Sequence, residues 1–155
     1  MNKQEMYQMV IEAEIRAQML YWSLSRAFQN PETCATFKEL VELEVMHEEY
    51  MRKLFIQEFD GMEPIIKTQA ETELKGVKLT EPLEVLRFAQ SREDLARDAY
   101  LEIADYTEDP ELKSVLSKFA IQEEDHKQLI QAEIDRLQGT MIWYDPAELS
   151  GLMED

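Results

Sequence analysis

The chain has 155 residues, of which 45% are hydrophobic and 32% are charged, and it contains only four glycines and five prolines. This length fits one domain with a core of its own. So few turn-forming residues exclude a β-sandwich or barrel, and the apolar fraction excludes a disordered chain. The 33 acidic against 16 basic residues give a net charge of −17, which argues against nucleic acid and anionic membranes as partners.

Cysteine content and hydropathy indicate the compartment. The single cysteine, Cys34, excludes a disulfide framework or a cysteine-based metal site within one chain. The first residues lack the apolar segment of a signal peptide, and no run of about 18 apolar residues predicts a membrane span. We therefore expect a cytoplasmic protein.

Four segments show the alternating spacing of three and four residues that is typical of bundled helices. They run from about residue 2 to 29, 31 to 59, 81 to 106 and 110 to 138. Asn30-Pro31 and Asp109-Pro110 each place a capping residue before a proline, so one helix ends and the next begins almost at once. The sequence therefore predicts an all-α fold, a four-helix bundle of two antiparallel hairpins.

The two hairpins are joined by residues 60–80, which contain Gly61, Pro64 and Gly76. A helix of about 28 residues is about 42 Å long, and about 20 extended residues can cover that distance. We expect this segment to cross over along the bundle, with a short helix near residues 69–75. Residues 1–138 thus form the bundle, and residues 139–155 form a tail whose apolar residues 141–144 pack on the bundle or on a partner subunit.

The second half of the bundle repeats the first at an offset of 79 residues. Between residues 14 and 47, seven residues are identical to those 79 positions later: Glu14, Ala17, Tyr21, Pro31, Glu32, Glu44 and His47. Five of the seven lie on the inward side of the predicted helices. A repeat that only built a core would keep hydrophobic residues, so the retained polar residues predict a chemical role.

Six ionisable residues face the predicted core: Glu14, Glu44, His47, Glu93, Glu123 and His126. In antiparallel hairpins they lie at one height along the bundle, and each Glu-x-x-His pair presents both side chains on one helix face. Four buried carboxylates must take up protons or bind cations, and two divalent metal ions would neutralise them. Imidazole with carboxylate suits iron or manganese. Glu12 and Glu133 also lie near this inward face, but only Glu14 has a counterpart 79 residues later.

These residues resemble the ferritin-like di-iron carboxylate superfamily and, within it, the rubrerythrin family, over all four helices. The most telling motifs are Glu-x-x-Ala-x-x-x-Tyr at residues 14–21, its copy at 93–100, and the two Glu-x-x-His pairs. The resemblance implies two iron ions, with manganese or zinc possible in the purified protein. The glutamates of the first and third helices would be terminal ligands, those of the Glu-x-x-His pairs would bridge, and each histidine would bind one ion. Tyr21 and Tyr100 would be catalytic hydroxyls beside the ligands.

The chain departs from the family pattern in two places. Rubrerythrins typically carry an added iron module with four cysteines, and often a further glutamate three residues after the third-helix ligand. This chain has one cysteine, and Ala96, like Ala17 in the first helix, stands at that position. The resemblance therefore implies an external electron donor, a rubredoxin-like protein or a reductase, and a symmetric six-ligand centre nearer that of bacterioferritin. The small alanines would leave room beside the metals for dioxygen or peroxide.

The implied function is a di-iron oxidoreductase that reduces hydrogen peroxide, or dioxygen, while Fe(II) is oxidised, in defence against oxidative stress. Two alternatives stay open: a ferroxidase that handles iron, and a non-enzymatic metal- or redox-binding module. We expect a homodimer, and the long 60–80 connection would also allow hairpins to be exchanged between subunits.

Overall fold

The helices lie close to their predicted positions. The computed structural model describes residues 1–67 and 81–139. Within these residues the elements are α1 (Lys3–Ala27), α2 (Pro31–Glu58), α3 (Pro82–Tyr106) and α4 (Pro110–Gln138). α1 packs mainly on α2, and α3 packs mainly on α4. This arrangement confirms the all-α, four-helix bundle of two hairpins.

Capping side chains set the sharp corner within each hairpin. Asn30 Oδ1 accepts hydrogen bonds from the backbone N–H groups two and three residues later, at 2.9 and 3.4 Å. Asp109 Oδ1 accepts the equivalent pair at 3.0 and 3.5 Å. α1 ends at Ala27, two residues before its predicted end, because Phe28 already has the extended backbone (φ −95°, ψ 151°) that leads to the next cap.

The core consists of two apolar clusters, one towards each end of the bundle. The first includes Tyr7, Met51, Phe55, Tyr100 and Leu116. The second includes Tyr21, Phe37, Leu86, Ile130 and Ile134, which are the same positions displaced by 79 residues. The sequence repeat is therefore a repeat in space, and a buried polar layer lies between the clusters.

The helix directions place the end of the first hairpin far from the start of the second. α1 is antiparallel to α2 within its hairpin and, through contacts of Glu14 with Tyr100 and of Tyr21 with Glu93, antiparallel to α3 as well. α2 and α3 are therefore parallel, and the end of one lies far from the start of the other. After α2 the chain turns back along α1, since the Lys67 backbone N–H donates to Glu12 at 3.0 Å.

Residues 68–80 and 140–155 lie outside the described residues. The expected short helix near residues 69–75 and the expected packing of residues 141–144 fall within these ranges. Among the described helices, none combines the length and apolar character needed to cross a bilayer.

Candidate metal centre

The six ionisable residues predicted to face the core form one layer in the middle of the bundle. α1 and α3 each contribute one glutamate, and α2 and α4 each contribute a Glu-x-x-His pair. None of these six residues is more than 2% exposed: Glu14, Glu44, His47, Glu93, Glu123 and His126. The structure thus brings together all six predicted ligands in a place shielded from water.

The layer divides into two groups of four residues, and within each group the ligand atoms lie within 4.8 Å of one another. One group contains Glu14 and His47, and the other contains Glu93 and His126. Glu44 and Glu123 belong to both groups. Each group therefore offers one imidazole nitrogen and three carboxylate oxygens, and the two shared glutamates occupy the position of bridging ligands.

The two groups are related by an approximate twofold symmetry. His47 Nδ1 lies 2.7 Å from Glu123 Oε1 and 3.7 Å from Glu14 Oε1. His126 Nδ1 lies 2.6 Å from Glu44 Oε1 and 3.6 Å from Glu93 Oε2. Each imidazole thus lies closest to the Glu-x-x-His glutamate of the opposite hairpin, so neither hairpin assembles a group alone.

Several inward-facing atoms of this layer have no hydrogen-bond partner among the described residues. They are Glu14 Oε2, Glu44 Oε1, His47 Nδ1, Glu93 Oε2, Glu123 Oε1 and His126 Nδ1. Buried polar atoms without partners are costly and rare in native proteins. Lone pairs that converge in this way, from mixed nitrogen and carboxylate donors, fit two metal ions of the iron or manganese type.

The electrostatics of the layer favour cations over bare carboxylates. Burial, followed by repulsion from Glu14, raises the pKa of both Glu44 and Glu123 well above the ordinary value. Burial acts in the same direction on Glu14, but its contacts with Glu44 and His47 outweigh burial and lower its pKa. In the metal-free chain these shifts favour the protonated form of the two shared carboxyls, and divalent ions would displace such protons on binding.

The two tyrosines singled out in the sequence connect the hairpins through the terminal glutamates. The Tyr100 hydroxyl on α3 donates to Glu14 on α1 at 2.7 Å, and the Tyr21 hydroxyl on α1 donates to Glu93 on α3. Both side chains are fully buried. Burial, followed by the charge of the adjacent glutamate, raises the pKa of each phenol, so both remain donors at neutral pH.

Comparison with known families agrees with this geometry. The sequence profile of the rubrerythrin family matches residues 5–134, which include most of each of the four helices and all six residues of the layer. The chain belongs to the rubrerythrin family. Its donor set is that of a di-metal carboxylate protein.

Solved structures show the same ferritin-like fold. A hypothetical protein from Pyrococcus furiosus superimposes with a TM-score of 0.75 at 24% identity, covering 90% of this chain and 92% of the other. A manganese catalase from Anabaena superimposes with a TM-score of 0.70 at 19% identity, covering 88% and 74%. No protein with a curated description matches the chain.

The sequence did not predict Gln122, which breaks the symmetry of this rubrerythrin-family site. Gln122 Oε1 lies 2.7 Å from His47 Nε2, so the imidazole N–H donates to it and Nδ1 is left to face the centre. The position equivalent to Gln122 in the other hairpin is Leu43, which has no polar side-chain atom to offer His126. The signal lay in the repeat itself, at a position where the two halves differ.

The two remaining glutamates near the inward face have other partners. Glu12 accepts the Lys67 backbone N–H. Glu133 is buried and accepts from the Thr33 hydroxyl at 2.8 Å, and Arg136 lies 3.5 Å from it. Neither belongs to the two four-residue groups. The absence of a counterpart 79 residues away therefore separated these glutamates from the six of the layer.

A cavity of about 510 Å³ opens between α1 and α3 and reaches the layer. Its floor is formed by the four carboxylates of the layer, whereas neither histidine lines it. Ala17 and Ala96 face it from opposite helices, next to the terminal glutamates. These small side chains leave the carboxylate side of the centre accessible, and the imidazole side is closed by packing such as Phe119 stacked on His47 at 4.2 Å.

Proposed function

We propose that this protein is a di-iron oxidoreductase that reduces peroxide, with the six residues of the layer as its metal ligands. The observation that carries the proposal is the pair of buried four-residue groups that share Glu44 and Glu123. Two ions bound by groups that share two ligands would lie close enough to act on one small molecule together. Iron is proposed as the native metal because mixed imidazole and carboxylate donors suit it.

The reaction needs two electrons and two protons to convert one hydrogen peroxide into two waters. A ferrous pair held by the six residues of the layer would supply the electrons, one from each ion. The protein fixes the ligands and limits the access of water. Tyr21 and Tyr100 hold the terminal glutamates by hydrogen bonds across the hairpins. We propose that these phenols keep the glutamates in place as the charge at the centre changes.

Electrons to restore the ferrous state would come from a separate protein, a rubredoxin-like donor or a reductase. Cys34 is the only cysteine of the chain, and its thiol donates to the Phe28 carbonyl at 3.0 Å near the helix corner, outside the metal layer. One cysteine cannot form a four-thiolate iron module. We propose that the protein is a homodimer whose subunits can exchange hairpins. We propose that it acts in the cytoplasm against oxidative stress.

A ferroxidase is the second candidate function, and the symmetry of the centre favours it. Ala96 occupies the position where many family members have an additional glutamate, so the ligand set is the same on both halves. Such a centre would oxidise Fe(II) with dioxygen and pass the product on. A non-enzymatic metal- or redox-binding module would hold the same ions without turnover.

Anaerobic Fe(II) titration followed by rapid mixing with hydrogen peroxide or dioxygen tests the proposal. Two ions bound per chain and faster oxidation by peroxide are expected. Faster oxidation by dioxygen with uptake beyond two ions would establish the ferroxidase, and release of dioxygen from peroxide by manganese-loaded protein would establish a catalase instead. Glu44→Ala should abolish binding, whereas Glu42→Ala, which removes an exposed carboxylate two residues away, should not. Binding unaffected by Glu44→Ala would overturn the di-metal site.

A further inference from the structure

The cavity above the carboxylates has the wrong chemistry for a small polar substrate alone. Its wall residues on α1 run from Met9 to Ala27, a rise of about 27 Å along the helix. Those on α3 run from Pro82 to Ala99. Apart from Ser23, Arg16 and Arg92, the wall is made of Met, Val, Ala, Leu, Pro and Phe. Hydrogen peroxide needs no apolar passage of this length.

The volume and rim of the cavity also favour an organic ligand. A volume of about 510 Å³ lies within the range of small-molecule sites, which are mostly apolar with a few polar groups at one point. Here four of the polar groups, the carboxylates of the floor, lie together at one point. At the rim Met9, Met19 and Leu95 are 39%, 47% and 56% exposed, so apolar surface continues from solvent to the centre. An apolar chain would be covered along its length while its head reached the floor.

We propose that this cavity binds the chain of an uncharged organic hydroperoxide, with the oxygen head group against the carboxylate floor. The inference rests on the proposed function and specifies its substrate class. In the metal-free chain, the carboxylates of the floor favour an uncharged head group over a carboxylate. Cleavage of the O–O bond by two electrons and two protons, the electrons coming from the ferrous pair of the proposed function, would give one alcohol and one water. The alcohol has the same chain and a similar head, and it should bind in the same place.

Binding of linear alcohols to the metal-free protein tests this proposal without any turnover. Calorimetry with 1-hexanol, 1-octanol and 1-decanol should show one saturable site per chain. Each added methylene should tighten the dissociation constant by about three- to fourfold. Decanoate, with a charged head, should bind at least about tenfold more weakly than 1-decanol, since its head is repelled by the floor.

Variants locate the binding site. Ala17→Phe and Ala96→Phe each place a ring in the cavity next to the floor and should weaken 1-decanol binding by at least about tenfold, because the ring displaces several methylenes. Ala96→Leu serves as a milder version if a phenylalanine disturbs folding. Ala35→Phe adds the same ring at an exposed position of α2 and should leave binding unchanged.

Three results would overturn the inference. The first is metal binding without saturable alcohol binding, which would leave the di-metal function standing. The second is alcohol binding that survives Ala17→Phe and Ala96→Phe, which would place the alcohol elsewhere. The third is a dimer, seen by sedimentation, that blocks alcohol binding and is lost in Ala17→Phe, because a second copy would then fill the cavity. If the unmodified protein binds the alcohols but does not bind Fe(II), the result would instead count against the proposed function alone.

Discussion

Each hairpin supplies two glutamates and one histidine to the centre at nearly the same distances, yet the surroundings of the two sets differ. His47 Nε2 donates to Gln122, whereas the equivalent position in the other hairpin is the apolar Leu43. At one end of the bundle Thr33 donates to the buried Glu133, and the equivalent positions at the other end are the leucines Leu112 and Leu54. The metal geometry tolerates little change, so the repeat persists there. One layer further out, packing accepts either polar or apolar pairs, and the halves have diverged.

The largest expected difference is the number of metal ions lost when a shared or a terminal glutamate is replaced by alanine. Glu44→Ala or Glu123→Ala removes a ligand of both groups, so both ions should be lost, with affinity falling by at least about 100-fold. Glu14→Ala or Glu93→Ala should mainly weaken the ion of its own group. Metal stoichiometry after anaerobic titration measures the contrast. Equal losses in all four variants would show that no glutamate is shared.

The pH dependence of stability should separate the metal-free protein from the loaded one. The pKa values of Glu44 and Glu123 are raised above the ordinary 4.5 in the folded chain. Their stabilising contribution is fully present below pH 4.5 and is lost as the pH rises through the raised values. The melting temperature of the metal-free protein should therefore fall as the pH rises above about 5.

Two comparisons check the cause of that fall. Glu44→Gln together with Glu123→Gln should flatten the decline, because an amide has no proton to lose. Saturation with a divalent metal should also reverse it, since the ions stabilise the charged carboxylates. The lowered pKa of Glu14 acts in the opposite direction, and its contribution is lost at pH values below 4.5. A decline that persists in the double variant would assign the effect to other groups.

Gln122 should make the two metal positions unequal in affinity. Gln122→Leu copies the His126 side of the centre, and it should weaken the ion beside His47 by about 10- to 100-fold, since the imidazole loses its orienting acceptor. Leu43→Gln copies the opposite arrangement and should strengthen the ion beside His126. Titration with Co(II), monitored by its absorption spectrum, gives a separate dissociation constant for each ion. Dissociation constants that are unchanged in both variants would show that Gln122 has no such role.

At one end of the bundle, removing only one partner of the Thr33–Glu133 hydrogen bond should destabilise the fold more than replacing both residues by apolar ones. Thr33→Val removes a hydroxyl donor from the buried Glu133, so the free energy of unfolding should fall by about 1–3 kcal/mol. The double change Thr33→Leu with Glu133→Leu restores the apolar pattern of the other end and should recover most of the loss. Denaturant unfolding of the metal-free protein measures both. A double variant weaker than Thr33→Val would mean that the end cannot accept leucines.

The smallest expected difference is in the stability lost when the capping residue of either helix corner is removed. Asn30→Ala and Asp109→Ala each remove a cap with two backbone donors, at about 1 kcal/mol each. Asp109 should cost slightly more, because its charge also interacts with the helix dipole, by about 0.3–1 kcal/mol. Glu108→Ala, one residue before the cap and exposed, is the control. The extra loss at Asp109 should disappear at high salt, and a salt-independent difference would need another cause.

Much of the architecture was readable from the sequence because its signals are local or repeated. The proline corners and capping residues placed the helix ends within two residues, since a cap acts on the turn beside it. The 79-residue offset singled out the six residues of the layer. It separated Glu14 from Glu12 and kept Glu133 out of the layer, because only residues needed by both halves appear twice.

The tertiary structure alone decided what meets across helices. Gln122 reaches His47 from 75 residues away, and Thr33 reaches Glu133 from 100 residues away. The tyrosines were predictable as neighbours of the ligands, but that each one holds the terminal glutamate of the opposite hairpin follows from how α1 and α3 face each other. The apolar cavity likewise exists only where those two helices stand apart. Such contacts depend on the relative placement of packed helices, which residue spacing within one helix does not specify.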